Sequence, residues 1–399
     1  MLPIRPLYYF AYFILIFCLV FCDQRSAVFS QIWKLGLIFY IMIDMIRRNM
    51  SINSSSKFIK YGYLWGIKNG LNLGLGTYCF NTLGYAVKFS LLPLICDYLN
   101  KKIKNKNSLF TFGLILSQYF VLANIPFSFG IIKMSSNAVV YDGVSSFVAL
   151  FVGQHALAIV TAMSMLFIAY RFYETTNTLE KTYNGLLLIY AAYVLYSAFT
   201  RTGWVMGIIG LFIIFTFKNY NIKKFIIQLC LVIVIIGAYN YMLENNPRFN
   251  HRINDITQDG TYKAQAGSGR LIYKDVSLEL FRNSDIITKM IGVGIDPLMD
   301  NMDKQIHIRI YSHNGWVDAL VANGIIGFSL MVTMCLFMII HVIRNRKKRY
   351  SEISFACIIM YISYQFTQGG VFFYQDLLIA IAMALTLNSN SKVNANLKK

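Results

Sequence analysis

Residues 315–342 read GWVDALVANGIIGFSLMVTMCLFMIIHV, an apolar run almost without charge. A helix needs about 20 mostly apolar residues to cross a hydrocarbon core of about 30 Å, so this stretch predicts a membrane-spanning helix. Runs of the same kind recur at 7–22, 28–46, 82–99, 109–126, 144–170, 185–200, 203–217, 225–242, 352–368 and 371–387. A twelfth, 61–80, is weaker because Lys68, Asn69 and Asn72 interrupt it. The expected fold is all-α, a polytopic membrane bundle of about 12 transmembrane helices. Composition agrees: 56% of the 399 residues are hydrophobic and 14% charged, where a soluble domain carries about 25% charged residues.

The first run, 7–22, follows Arg5 and resembles a leader. No small-residue cleavage site comes after it, and Phe21 before Cys22 is too bulky for a lipoprotein-type site, so it reads as a retained helix. The seven cysteines lie in or beside apolar runs, where they serve as small packing residues and imply no disulfide framework.

Net charge is +19. In a soluble protein that would suggest nucleic acid, but its distribution points elsewhere. With both termini cytoplasmic, the clusters Arg47/Arg48/Lys57/Lys60, Lys101/Lys102/Lys104/Lys106, Lys218/Lys223/Lys224, Arg344/Arg346/Lys347/Lys348/Arg349 and Lys392/Lys398/Lys399 share one side. Short loops on the other side offer little beyond Arg25, Lys133 and Arg201. This is the positive-inside bias, and it sets the orientation. The charge therefore reports topology, and no nucleic-acid partner is expected. Without the weak span at 61–80, the lysines at 101–106 would fall outside.

Three parts follow: membrane helices in 1–242, one large external loop in 243–312, and further membrane helices in 313–399 with a cytoplasmic C-terminus. The loop balances nine Lys and Arg against nine Asp and Glu, half of all the acidic residues in the chain. Loops of that length are commonly functional or disordered. Ala266–Gly269 reads as a turn, with Ser268 as a helix cap. Arg270–Arg282 then puts Ile272, Val276 and Leu280 on one helical face, predicting an amphipathic helix on the membrane surface or over a cavity. The run Gly292-Val293-Gly294-Ile295-Asp296-Pro297 ends that unit with a second turn.

Four features on the external side could carry chemistry. Thr200-Arg201-Thr202-Gly203 places an Arg at the outer boundary, where it either snorkels to lipid headgroups or grips phosphate oxygens through its planar fork. Gly267-Ser268-Gly269-Arg270 allows a tight turn at a helix N-terminus, which favours an anion; a solvated loop Arg is the plainer alternative. In Ser312-His313-Asn314-Gly315-Trp316, His313 suits a general base, or His313 and Asn314 merely cap the next helix. Asp296, Asp300 and Asp303 are spaced without a familiar metal pattern and read as solvated charge, so no metal is expected. His155, beside Gln154, lies within a run, where a packing histidine and a functional one are equally reasonable. His251, His307 and His341 have no motif around them. No Walker loop, zinc signature or nucleophile elbow is present.

The order of these motifs resembles the bacterial O-antigen ligase/polymerase superfamily. Thr-Arg-Thr-Gly at a helix junction precedes a long external loop that opens with Ser-Gly-Arg-Leu-Ile-Tyr and continues to Gly-Val-Gly. The loop closes on His-Asn and a helix containing Gly-Ile-Ile-Gly. The resemblance implies a GT-C-like membrane glycosyltransferase acting on glycans linked to undecaprenyl pyrophosphate at the periplasmic face of the bacterial inner membrane, without a cofactor. By the same resemblance Arg201 and Arg270 hold the pyrophosphate and His313 activates the acceptor hydroxyl. Arg309 and Arg252 are additional candidates for phosphate contact, and Asn314 supports the acceptor. Implied partners are the lipid-linked oligosaccharide, membrane lipid, a chain-length regulator and a flippase. A polymerase that extends the glycan on its lipid carrier is preferred over a ligase that moves finished polymer to lipid A core. The rival from another class is a transporter such as a lipid-linked-oligosaccharide flippase. It predicts charges inside the spans and related halves, whereas the spans carry few charges (Lys34, Asp44, Lys68, Lys88, Asp376) and one external loop dominates.

Overall fold

Most of the apolar runs among the described residues form helices. A computed structural model describes residues 6–50, 56–71, 79–134, 140–141, 144–151, 153–217, 233, 237, 240–241, 244, 270–369 and 372–387. Before the large loop come α1 (Pro6–Arg25), α2 (Ala27–Arg47), α3 (Lys57–Leu71), α4 (Cys79–Lys102), α5 (Lys106–Leu122), the one-turn α6 (Ile125–Ser128), α7 (Gln154–Glu174), α8 (Thr178–Ser197) and α9 (Arg201–Thr216). Within the loop are α10 (Arg270–Asn283), α11 (Ile286–Ile291) and α12 (Ile295–Ile306), and after it α13 (Gly315–Arg344), α14 (Ser351–Thr367) and α15 (Phe373–Thr386). Apart from helices, the described residues hold one small antiparallel pairing, β1 (Val140–Tyr141) with β2 (Val144–Ser145), in which Val140 faces Ser145.

Among the described residues, four helical stretches are long and apolar enough to cross a membrane: Val28–Arg47, Lys106–Ser128, Gln154–Glu174 and Gly315–Arg344. Two shorter apolar helices, Arg201–Thr216 and Phe373–Thr386, accompany them. Most of the expected run 225–242 and the turn at 266–269 with Ser268 lie outside the described residues, as does Arg252. The expected run 144–170 starts later as a helix. Residues 147–151 are buried but not helical, Ala149 has a φ of +42°, and Gly153 in extended conformation caps α7.

Helices α7 and α15 are buried nearly all round, as expected of the bundle interior. Helix α2 sits at the margin and exposes Ile32, Phe39, Ile43 and Ile46, a surface suited to lipid. The basic clusters among the described residues, at 47–60, 101–106 and 344–349, gather at one end of the bundle. Lys106 and Lys348 donate to the carbonyls of Ala384 and Thr386 at 2.6 and 2.8 Å, satisfying the C-terminus of α15. Lys102 and Arg48 share Asp44 at 2.8 and 2.9 Å at that same end.

At the opposite end the loop is threaded into a broken helix. Gly324 has a φ of +66° and ψ of −177° inside α13, so the hydrogen-bond ladder stops there. The freed carbonyls of Val321 and Ala322 accept from Val293 N–H and Gly294 N–H at 3.0 and 2.9 Å. Gly292 (φ +87°) and Gly294 (φ +91°) permit that insertion. A Cβ on Gly292 would lie 2.3 Å from the Ala322 carbonyl oxygen, and one on Gly324 would lie 2.4 Å from that of Met290. The two glycine motifs are thus two halves of one joint. Non-helical backbone at membrane depth survives where it is enclosed by protein. Lys68, which weakens the run at 61–80, is buried and donates to the Ile291 carbonyl of this joint. Its charge is an internal fastening that holds α3 against the loop.

Candidate functional site

The amphipathic pattern of residues 270–282 folds as expected into α10, with Arg270 as its first residue. From there Arg270 donates from Nη2 to Gln368 Oε1 at 2.9 Å. Gln368, the residue that ends α14, contacts His313 Nδ1 through its Nε2 at 3.0 Å. The amide orientation follows from chemistry. Arginine offers only donors, so the oxygen of Gln368 must face Arg270 and its nitrogen must face His313. His313 Nδ1 then accepts, and the ring proton of the neutral imidazole sits on Nε2. Burial, and next the positive charge of Arg270, bring the His313 pKa down to about 4, although the Gln368 backbone carbonyl favours the protonated ring. The imidazole is neutral at physiological pH.

His313 is also strained. Its φ of +56° is a left-handed conformation that costs a non-glycine residue about 1–2 kcal/mol. Asn314 holds the turn: its Oδ1 accepts from Trp316 N–H and Val317 N–H, both at 3.2 Å, as an N-cap of α13. Its Nδ2 reaches the Phe366 carbonyl at 3.4 Å. Gly315 must lack a side chain, because a Cβ there would collide with Gln365 Oε1 at 1.8 Å. The buried Ser312 offers its N–H to Asp318 Oδ1 at 2.9 Å. The rings of Tyr311 and Tyr273 flank His313 at 5.0 and 6.0 Å. Sequence reasoning left open whether His313–Asn314 caps a helix or carries chemistry; Asn314 does cap, and that capping presents His313.

Beside this turn lies a cavity of about 240 Å³ lined by Trp65, Tyr311, Asp318, Asn323, Tyr361 and Gln365, among others. Asp318 Oδ2 is buried at its edge with no hydrogen-bond partner among the described residues. Aromatic faces with a few carboxylate and amide groups suit a polar ring such as a sugar.

Arg201 opens α9, and α9 packs on α14. Phe217 stacks on Phe355 at 4.4 Å, and Gly210 lies against Met360. Those two pairings make the helices antiparallel. Carried up about two and a half more turns, the register sets Arg201 level with the end of α14 at Gln368. Arg201, Arg270 and His313 therefore occupy one end of the bundle, opposite the lysine clusters.

Arg309 is engaged differently from the sequence expectation. Its Nε and Nη2 bind Asp300 and Asp296 at 2.9 and 3.0 Å, and these carboxylates, Asp300 first, hold it more firmly in its charged form. The acidic set is correspondingly less solvated than its spacing suggested, since Asp296 is 2% exposed. Among the described residues no three metal-ligating side chains come together. The residue that sequence reasoning missed is Gln368. Its only signal is a polar pair, Gln365 and Gln368, before Gly369-Gly370 at the end of an apolar run.

Residues 186–332, from α8 into α13, match the family model of the O-antigen ligases. That stretch, a little over a third of the chain, is similar to the O-antigen ligase family. It contains Arg201, Arg270 and His313, in agreement with the resemblance to the O-antigen ligase/polymerase superfamily. Members of the family are membrane glycosyltransferase-like enzymes, and the family implies a lipid-linked polysaccharide substrate. Gln368 lies beyond the matched stretch. A comparison with curated proteins finds no match.

Proposed function

We propose that this chain is an O-antigen or similar surface-polysaccharide polymerase. It transfers a growing glycan from undecaprenyl pyrophosphate onto the next lipid-linked repeat unit. The observation that carries the reading is the chain of contacts from Arg270 through Gln368 to His313, at the same end of the bundle as Arg201. In the reaction an acceptor hydroxyl attacks the anomeric carbon of the donor. A new C–O bond forms, the C–O bond to the pyrophosphate breaks, and the electron pair leaves with the diphosphate. Arg201 and Arg270 stabilise that growing charge, each bond being worth about 1.5–3 kcal/mol. His313 takes the hydroxyl proton. The cavity beside His313 receives the acceptor sugar, with Asn314 holding the turn between them, and α10 shields the reaction from water. In this reading Arg309, and Arg252 in the loop, are further candidates for the diphosphate.

The reading includes about 12 spans, an inner-membrane location, cytoplasmic termini and a periplasmic or external active face. The three parts are 1–242, the loop 243–312 and 313–399. A chain-length regulator and a flippase are the expected partners. The name of the matched family favours a second reading, transfer of finished polymer to lipid A core. A deletion strain separates them on a surface-glycan gel. Polymerase loss leaves core bearing a single repeat unit; ligase loss leaves bare core with polymer retained on the lipid carrier. An unchanged ladder would contradict both.

A further inference from the structure

We infer that Gln368 is a positioning residue that couples occupation of the pyrophosphate site to the tautomer, and so the basicity, of His313. This rests on the reading of the site given above. In the structure Gln368 Oε1 accepts from Arg270, which forces its Nε2 toward His313 Nδ1. The lone pair of Nδ1 is occupied and Nε2 carries the proton, so neither ring nitrogen is ready to accept one. The site is at rest with its base switched off.

A bound diphosphate changes the balance. Its oxygens are stronger acceptors for Arg270 than a neutral amide, because both partners are then charged. Once Arg270 turns to the diphosphate, Gln368 Oε1 has lost its donor. A half-turn of the amide then offers that oxygen to His313, which favours the proton on Nδ1 and leaves the Nε2 lone pair open. The orienting logic is that of any catalytic histidine whose second nitrogen must donate to an acceptor. The proton count is unchanged by the flip; the acceptor hydroxyl's proton then goes to Nε2 as the glycosidic bond forms. Donor binding therefore precedes activation of the acceptor. The groups facing His313 are Arg270 and Tyr273 from α10, Tyr311 from the preceding segment and Gln368 from α14, with Asp318 of α13 held on the adjacent Ser312 N–H. Among these, Gln368 is the group that can exchange a donor for an acceptor at Nδ1.

The test uses full-length protein carrying 15N-labelled histidine, with the His313→Asn variant to assign the resonance among five histidines. Spectra are taken without and with saturating geranyl pyrophosphate, whose binding is measured separately by calorimetry. The expected result is a proton on Nε2 without ligand and on Nδ1 with it. Binding without a change of tautomer overturns the proposal alone. Absence of binding to the wild-type protein contradicts the pyrophosphate site itself, and the proposal with it. Two variants give a kinetic readout. Gln368→Glu accepts from both neighbours at once, so the acid limb of kcat/KM should rise from near pH 4 to above 6.5, while donor KM rises because Arg270 stays held. Gln368→Met keeps the length without hydrogen bonds and should lower kcat about tenfold, a fraction of the 10²–10⁴-fold that a positioned base supplies. A Glu variant with the wild-type acid limb overturns the proposal, as does an unchanged tautomer with ligand bound.

Discussion

His313 combines three properties at one position: a left-handed backbone, a neutral ring and an amide partner at Nδ1. Strain of this kind persists only where surroundings enforce it, and Asn314, Gly315 and Ser312 supply the enforcement. Replacing His313 by Ala should slow transfer by about 10²–10⁴-fold with the protein still folded, as read by glycan transfer alongside thermal unfolding. Its titration also has a stability consequence. The folded pKa of about 4 lies below the ordinary 6.5, so above pH 6.5 the residue has no effect. As pH falls from 6.5 toward 4, the unfolded chain takes a proton that the folded one refuses, and stability falls by up to about 3 kcal/mol. The His313→Ala variant should lose that part of the acid sensitivity; an identical pH dependence in the two proteins would show that the ring is not buried as described. For Arg201, substitution by Lys keeps the charge but loses the planar fork, so donor KM should rise about tenfold or more.

At the scale of elements, the joint between Gly292–Gly294 and the break at Gly324 decides where the site residues stand. It fixes the loop against α13, directly after the His313 turn. Gly324→Ala should destabilise the protein by at least about 1–2 kcal/mol from its positive φ alone, with the clash on Met290 added. Gly292→Ala should do the same, and the double variant should cost less than the sum, because one insertion is lost only once. Additive effects in thermal unfolding would mean that the two glycines act separately. Arg309 belongs to the same loop. Its Ala variant should lower stability by about 1–3 kcal/mol by stripping a partner from the buried Asp296, and should raise donor KM. An unchanged KM would remove Arg309 from the candidates for the diphosphate.

At the scale of the whole molecule, hydropathy was enough to read a largely helical membrane protein, because long apolar runs are properties of local sequence. The amphipathic α10 was legible for the same reason. The start of the run at 144 was not, since buried apolar residues 147–151 look alike whether helical or extended. Nor was the break in α13, which depends on a partner carbonyl and a partner N–H some thirty residues away in the chain. For the site, Arg270 and His313 were visible through motif order. Gln368 was invisible, because its role comes from the two residues it touches and not from its own neighbours. Orientation can be checked with single cysteines introduced at Lys104, Lys133, Lys304 and Lys347 in a cysteine-free background. An impermeant thiol reagent on intact cells should label positions 133 and 304 and spare 104 and 347; the reverse pattern would invert the topology.

The most direct measurement is transfer by the purified protein in liposomes, supplied with repeat-unit oligosaccharide on polyprenyl pyrophosphate. The wild-type protein should build chains of many repeats and release polyprenyl pyrophosphate in step with each bond formed, and His313→Ala should do neither. Wild-type protein that leaves the substrate at one repeat unit, or a His313→Ala variant that polymerises at the wild-type rate, would contradict the account.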